Sequence, residues 1–184
     1  MSVTPEQVQQ VYREADCLHD RAAVEAAIAK MATAISAEFS DKNPLVLVVM
    51  SGALIPAGYL LSHLDFPLQL DYFHASRYRG ETSGGTELEW RVTPRFAIEG
   101  RHILIVDDIL DEGLTLKEIV HACETAGAAS VKSAVLVQKL HERNCGIEAD
   151  YVGLEVEDRY VFGFGMDYKE YLRNVPGIYA VKGS

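Results

Sequence analysis

Short apolar runs divide the chain into blocks with strand-like and helix-like patterns. The segments PLVLVVM and HILIVDDI are apolar at successive positions, which is typical of strands covered on both faces. SVKSAVLVQKL has a similar apolar stretch and ends at a lysine, whereas TELEWRV alternates as an exposed strand does. The predicted strands cover residues 44–50, 68–75, 86–92, 102–109 and 130–140.

Helical patterns occupy most of the sequence between these strands. The first predicted helix begins after a capping Thr4 with proline at its first position, and it runs to Leu18. Asp20 caps a second, alanine-rich helix, and Gly127 ends an amphipathic one. The predicted helices cover residues 5–18, 20–39, 51–64 and 114–127.

The alternation of strands and helices predicts an α/β protein with a parallel sheet and helices on both faces. In such sheets, ligands bind where strands end and helices begin. The segment 76–85, SRYRGETSGG, is polar and glycine-rich with no apolar period, so it is interpreted as either a disordered loop or a functional lid. The C-terminal third is more irregular, with strand-like pieces.

Composition narrows the class of protein. The 184 residues, 48% of them hydrophobic, fit one globular domain. The net charge of -10 argues against broad binding to nucleic acid or to an anionic membrane. There is no apolar run of about 18 residues and no secretory signal, so a cytoplasmic location is predicted. Cys17, Cys123 and Cys145 form no CxxC pair and indicate reduced thiols.

The most informative stretch is ILIVDDILDEGLTL, residues 103–116. A buried strand leads into Asp107 and Asp108, then into a tight loop and a helix that begins at about Leu114 or Thr115. Backbone N–H groups at a helix N-terminus form a phosphate-binding geometry. The stretch matches neither GxxxxGK[ST] nor GxGxxG, which disfavours a P-loop and a dinucleotide site. The alternative is a solvated strand end with Gly113 as a simple turn.

This stretch resembles the phosphoribosyl diphosphate signature of type I phosphoribosyltransferases. The resemblance implies that Asp107 and Asp108 bind the ribose hydroxyls and that Asp111 is the catalytic residue, taking or sharing the proton of purine N7. We expect the neighbouring acids to raise the pKa of Asp111, and the Glu112 side chain to turn toward solvent or Lys117. The residues implied to bind the 5′-phosphate are Asp111, Glu112, Gly113, Leu114 and Thr115.

The C-terminal segment VGLEVEDRYVFGFGMDYKEYLRN resembles that of hypoxanthine-guanine phosphoribosyltransferases. The resemblance implies that Lys139 donates a hydrogen bond to the purine 6-oxygen and that Tyr160 stacks on the purine ring. Taken alone, Lys139 would be interpreted as a surface lysine and Tyr160 as a core aromatic. It also implies a magnesium ligand at Asp167. The remaining purine-binding residues implied are Val161 and Met166.

The resemblance implies diphosphate binding by Ser51, Gly52 and Arg173. Ser76, Arg77 and Tyr78 are the expected lid residues. The implied architecture is a single domain over residues 1–184. It has a Rossmann-like core at about 44–140, a small hood from the N-terminal helices and the C-terminal third, and a flexible lid loop.

The implied reaction transfers the phosphoribosyl group to hypoxanthine or guanine in purine salvage, with Mg2+. The implied partners are small-molecule substrates, a 6-oxopurine and phosphoribosyl diphosphate, with no nucleic acid and no membrane. A homo-oligomer, dimer or tetramer, is expected. Two alternatives are a specificity for xanthine or adenine, and an RNA-binding regulator on the same fold, which the acidic charge disfavours.

Overall fold

The computed structural model describes residues 3–77 and 88–184. Four helices and nine strands lie within these ranges. In chain order they are α1 Pro5–Glu14, β1 Asp16–Asp20, α2 Arg21–Phe39, β2 Leu45–Met50, α3 Leu54–Leu61, β3 Gln69–Arg77, β4 Leu88–Val92, β5 His102–Leu110, α4 Leu114–Thr125, β6 Ser130–Leu140, β7 Tyr151–Glu157, β8 Val161–Phe162 and β9 Gly177–Ala180. None of the described helices is long and apolar enough to cross a membrane.

A six-stranded sheet in the order β4-β3-β2-β5-β6-β7 forms the core. Strands β3, β2, β5, β6 and β7 run parallel to one another, and β4 pairs antiparallel with β3 at the edge of the sheet. Ile103 to Val106 in β5 are at most 2% exposed, so both faces of this strand are covered. The predicted parallel sheet is thereby confirmed. The TELEWRV segment forms a strand over its described residues, Leu88–Val92, and its predicted exposure stays a prediction.

The chain changes direction at the centre of this sheet. β2 connects through α3 to β3 on one side, whereas β5 connects through α4 to β6 on the other. Because such crossovers are right-handed, α3 and α4 lie on opposite faces. The order therefore reverses between β2 and β5, and the crevice beyond the carboxyl ends of these two strands is the expected ligand site.

A second, three-stranded sheet in the order β1-β9-β8 joins the two ends of the chain and forms the hood. The predicted helix over 5–18 is wrong beyond Glu14, because Asp16–Asp20 pairs antiparallel with β9 instead. Local pattern cannot anticipate a pairing with a distant segment. α2 contacts both sheets. The residue limits given above for core and hood stay a prediction.

Two strands are longer than the sequence pattern indicated. β5 continues through Leu110, so Asp107 and Asp108 lie inside its pairing with β6 and not at its end. β3 continues through Ser76 and Arg77, whose backbones pair with β4. These two expected lid residues therefore lie in a strand.

Candidate active site

A cavity of about 270 Å³ lies in the crevice between β2 and β5. The loop after β2 and the segment from β5 into α4 line it from either side, and Arg173 reaches it from the C-terminal segment. The sequence-predicted residues that it brings together are Ser51, Gly52, Asp107, Asp108, Asp111, Gly113, Thr115 and Arg173. The peptide bond between Met50 and Ser51 is cis.

Asp107 and Asp108 place two adjacent carboxyl groups on β5. Asp107 Oδ1 accepts a hydrogen bond from the backbone N–H of Asp108 at 2.9 Å, and Asp108 Oδ1 accepts one from Ile109 at 3.0 Å. Burial raises the pKa of both carboxyl groups above the ordinary value. The positive charge of Arg173 opposes the increase at Asp108. A ligand that donates hydrogen bonds to this pair, or carries positive charge beside it, would stabilise its ionised form.

Gly113 makes the tight entry into α4 possible. Its φ of +83° lies in the left-handed region, and a Cβ there would stand 2.5 Å from Cγ2 of Ile147. Gly113 is the N-cap of α4, and Leu114 is its first helical residue. The predicted helix start is therefore confirmed, and the positive end of the helix dipole is at the cavity wall.

Glu112 precedes this turn and is half-buried. Its backbone carbonyl accepts a hydrogen bond from the N–H of Cys145 at 2.8 Å. Its negative charge is among those that raise the pKa of Arg143. That the Glu112 side chain turns away from the loop stays a prediction. Arg143 is a basic group close enough to Glu112 for their charges to interact.

Asp111 is held by two donors from the end of β6. Its Oδ2 accepts from Lys139 Nζ at 2.9 Å, and its Oδ1 lies 2.7 Å from His141 Nε2. Partial burial works to raise the pKa of Asp111, but the hydrogen bonds from Lys139 and His141 outweigh it and lower the pKa. The expectation of a raised pKa was wrong, because the charged group nearest to Asp111 in space is the Lys139 ammonium, and His141 adds a second hydrogen bond.

A second cavity of about 280 Å³ adjoins the first one and shares Asp108, Ile109 and Asp111 with it. It brings together Lys139, Tyr160, Val161, Met166 and Asp167, which are the residues implied for the purine and the metal. The Lys139 side chain is 12% exposed, which excludes a free surface lysine. Tyr160 is 44% exposed, which excludes a core aromatic. Its ring packs edge-on against Tyr168 at 5.6 Å.

Arg173 connects the two cavities. Its guanidinium donates to the carbonyl of Gly165 at 2.9 Å and pairs with Asp167 Oδ1 at 2.9 Å. The other oxygen of Asp167 accepts from the backbone N–H of Glu170 at 2.8 Å. Asp167 therefore presents a partly exposed carboxylate beside an arginine that can neutralise it.

Among the described residues expected to bind substrate, two line neither cavity, namely Glu112 and Leu114. The lid residues Ser76 and Arg77 end β3, and Tyr78 lies outside the described residues. Leu114 does not line either cavity as a side chain, although it begins α4.

Sequence reasoning missed His141, Arg143 and Asp158. Arg143 binds both carboxylate oxygens of Asp158, at 2.7 and 3.0 Å, and Lys139 lies 3.8 Å from the same group. One local signal was available, because residues two apart at a strand end point to the same side. The spacing of Lys139 and His141 therefore indicated a shared face. Asp158 comes from the loop after β7 and had no such signal.

Sequence comparisons match the chain to phosphoribosyltransferases. A family model described as the phosphoribosyl transferase domain matches residues 14–170. The hypoxanthine-guanine phosphoribosyltransferase of Bacillus subtilis (strain 168) is 36% identical over 155 residues, 84% of this chain and 86% of that protein. The hypoxanthine-guanine-xanthine phosphoribosyltransferase of Tritrichomonas foetus is 35% identical over 168 residues, 91% of each protein.

Solved structures agree with this assignment. A ternary substrates complex of the hypoxanthine phosphoribosyltransferase from Trypanosoma cruzi has a TM-score of 0.87 and 29% sequence identity, and the match covers 94% of this chain and 98% of that one. A hypoxanthine phosphoribosyltransferase from Staphylococcus aureus has a TM-score of 0.86 at 29% identity, covering 93% and 94% of the two chains. The family model and the relatives together span most of the chain, which therefore belongs to the phosphoribosyltransferase family.

Proposed function

We propose that the protein transfers the 5-phosphoribosyl group from phosphoribosyl diphosphate to hypoxanthine or guanine, giving the nucleoside monophosphate and diphosphate. This is a purine salvage reaction catalysed by a pentosyltransferase. One observation carries the proposal: the cavity with Lys139 and Tyr160 adjoins the cavity of the β5 aspartates, and Asp111 lines both. A base and a ribose bound in the two cavities would meet at Asp111.

The purine would be recognised by Lys139, Tyr160 and the backbone near Val161 and Met166. A lysine ammonium only donates hydrogen bonds, so it suits a 6-oxygen and opposes the 6-amino group of adenine. The partly exposed ring of Tyr160 offers a stacking face worth roughly 1–3 kcal/mol to any base. Selectivity would therefore come from Lys139 and the backbone.

The ribose and its 5′-phosphate would occupy the other cavity. Asp107 and Asp108 would accept from the ribose hydroxyls, while the backbone from Asp111 to Thr115 would surround the phosphate at the positive end of α4. Ser51, Gly52 and Arg173 would contact the diphosphate. As diphosphate leaves, positive charge develops on the ribosyl ring, and the buried carboxylates beside it would stabilise that charge.

Asp111 would take or share the proton that leaves purine N7. Its pKa is lowered by Lys139 and His141, so the carboxylate is ionised at neutral pH and can accept a proton. The low pKa also makes Asp111 a weak base. Positioning and electrostatics would therefore contribute more to the rate than basicity does.

The cofactor would be Mg2+, which would neutralise the charge of the leaving diphosphate. Asp167 fits this cation because it offers a hard carboxylate oxygen at the wall of the base cavity, with 29% of its side chain exposed. Among the described residues, ligand atoms of Asp111, His141 and Asp158 also lie within 4.8 Å of one another. Lys139 and Arg143 pair with those carboxylates as Arg173 pairs with Asp167, so ion pairing does not separate the two sites. We keep the metal at Asp167 because Asp111 has its role at purine N7.

Turnover on a panel of purines, measured as diphosphate release, tests the proposal. Hypoxanthine and guanine should both react, and adenine should be poorer by at least about a thousandfold, because its amino group faces the Lys139 donor. Lys139→Met should reduce the reaction with hypoxanthine without improving the apparent affinity for phosphoribosyl diphosphate. Efficient turnover of adenine would contradict the role of Lys139, and no release with any purine would contradict the enzyme assignment.

Xanthine is the second candidate base, since the Tritrichomonas foetus relative carries it in its name. We expect xanthine to react less well than guanine, because backbone carbonyls near Met166 would accept from a 2-amino group. An RNA mobility-shift assay at several salt concentrations, run beside the panel, tests the RNA-binding alternative. We also propose a cytoplasmic, single-domain protein that forms a homo-oligomer, and sedimentation would measure its oligomeric state.

A further inference from the structure

His141 lies directly behind Asp111, and the reaction described above gives it no role. Its side chain is 5% exposed, and Nε2 lies 2.7 Å from Asp111 Oδ1. The other ring nitrogen, Nδ1, lies 3.1 Å from the backbone N–H of Arg143, which can only donate. Nδ1 is therefore the acceptor and Nε2 carries the proton, so His141 donates a hydrogen bond to Asp111.

The second donor to Asp111 has another task. Lys139 Nζ lies 2.9 Å from Asp111 Oδ2, yet this ammonium is also the group proposed to bind the purine oxygen. When it turns toward a base, its bond to Asp111 weakens. The Asp111 side chain is 40% exposed, so packing alone does not fix its carboxylate. A donor that contacts Asp111 and not the base is then needed to keep the orientation.

We propose that His141 is this positioning residue: it holds the carboxylate of Asp111 in place through Nε2–H while Lys139 engages the purine. The inference rests on the proposed function. His141 contacts no substrate in this arrangement and acts only through Asp111. The backbone of Arg143 fixes the ring orientation in turn. The end of β6 therefore supplies the base-binding cation, and the turn after it supplies the support for the catalytic carboxylate.

The charged groups around Asp111 agree with this role. Lys139 and His141 lower its pKa, and Asp158 and Arg143 form an adjoining pair. Removing the donor at Nε2 should therefore raise the pKa of Asp111 toward its ordinary value. The low-pH limb of the rate profile would then move to higher pH, which a loss of packing alone would not produce.

Two polar substitutions of His141 distinguish the contact of Nε2 with Asp111 from the contact of Nδ1 with the Arg143 backbone. Glutamine places its amide nitrogen near the position of Nε2, so His141→Gln keeps a donor for Asp111. Asparagine reaches only the position of Nδ1, so His141→Asn keeps an acceptor for the Arg143 N–H and loses the bond to Asp111. His121→Asn, on the exposed side of α4, is the matched control for a surface histidine.

Steady-state kinetics with hypoxanthine and phosphoribosyl diphosphate provide the measurement. We expect His141→Asn to lower kcat by about ten- to a hundredfold, with the KM for phosphoribosyl diphosphate within about threefold. His141→Gln should stay within about threefold of the wild type in both constants. Equal activity of His141→Asn and the wild type, or equal impairment of the Asn and Gln variants, would overturn the positioning role.

A second readout does not depend on turnover. NMR titration of the Asp111 carboxyl carbon should give a higher pKa in His141→Asn than in the wild type and an unchanged value in His141→Gln. An unchanged pKa in His141→Asn would overturn the inference even if the variant were slow. A wild type that lacks phosphoribosyl transfer would instead refute the proposed function, while the titration still tests the contact between His141 and Asp111.

Discussion

Gly52 lies close against the Asp108 carboxylate, and replacing it with alanine tests this geometry directly. A Cβ at Gly52 would fall against the carboxylate of Asp108, with the most distant of its three atoms, Oδ1, at 2.8 Å. Ordinary contacts are about 3.5–4.0 Å, so the carboxylate would have to retreat by roughly 1 Å or more. Its hydrogen bond from the Ile109 N–H would be lost or distorted.

The effect of Gly52→Ala can be estimated both for the free energy of unfolding and for substrate binding. Overpacking of this kind destabilises by about 1–3 kcal/mol, which for a domain of this size lowers Tm by roughly 2–12 °C. If Asp108 binds the ribose, misplacing its carboxylate removes a charge-assisted hydrogen bond of about 1.5–3 kcal/mol. The apparent affinity for phosphoribosyl diphosphate should then fall by roughly ten- to a hundredfold.

Gly58→Ala is the matched control. Gly58 lies within α3, where an added Cβ would meet nothing within 4 Å. Alanine in a helix should stabilise by roughly 0.5–1 kcal/mol and leave the kinetics unchanged. Thermal unfolding and the KM for phosphoribosyl diphosphate of both variants provide the comparison. A Gly52→Ala variant with the Tm and the KM of Gly58→Ala would refute the close approach to Asp108.

Three further substitutions test other parts of the site. Asp111→Asn should lower kcat by about 10² to 10⁴ while the KM for phosphoribosyl diphosphate stays within a few-fold, and an unchanged kcat would remove Asp111 from the chemistry. The folded state raises the pKa of Asp107, so its contribution to stability is lost as pH rises above the ordinary carboxyl value. Asp107→Asn should therefore gain Tm relative to the wild type as the pH rises above the ordinary carboxyl pKa of about 4, and a constant difference would contradict this. Glu112→Thr should change the KM for phosphoribosyl diphosphate by less than about threefold, whereas affinity tighter by roughly a hundredfold would mean that the carboxylate faces the phosphate.

The segment from β5 into α4 was predictable because everything that defines it is contiguous in sequence. A buried strand, a left-handed glycine and a helix start occupy residues 103–116, and the structure has each of them in that order. The strand β1 was not predictable in the same way. Its residues 16–20 follow a well-capped helix, and only pairing with β9 at the other end of the chain extends them.

The pKa of Asp111 also depends on residues that are distant in sequence, and it was predicted wrongly for that reason. Its neighbours in sequence are acids, which suggests a raised pKa, whereas its hydrogen-bond partners Lys139 and His141 come from the end of β6. The register that aligns Leu110 with Gln138 brings these groups together. A charge environment built from separate strands cannot be derived from one stretch of sequence, although the residues that create it are all visible there.

The reversal of strand order between β2 and β5 also bears on how the protein folds. The loop proposed to bind diphosphate follows β2, and the segment proposed to bind ribose and phosphate runs from the end of β5. The two meet because β2 pairs with β5, with Leu45 opposite Ile103. The whole of α3, β3 and β4 lies between them in sequence. Closing so long a loop costs entropy before any contact offsets it, and such non-local pairing is slow. During synthesis, the binding crevice therefore cannot form until β5 has emerged from the ribosome and can pair with β2.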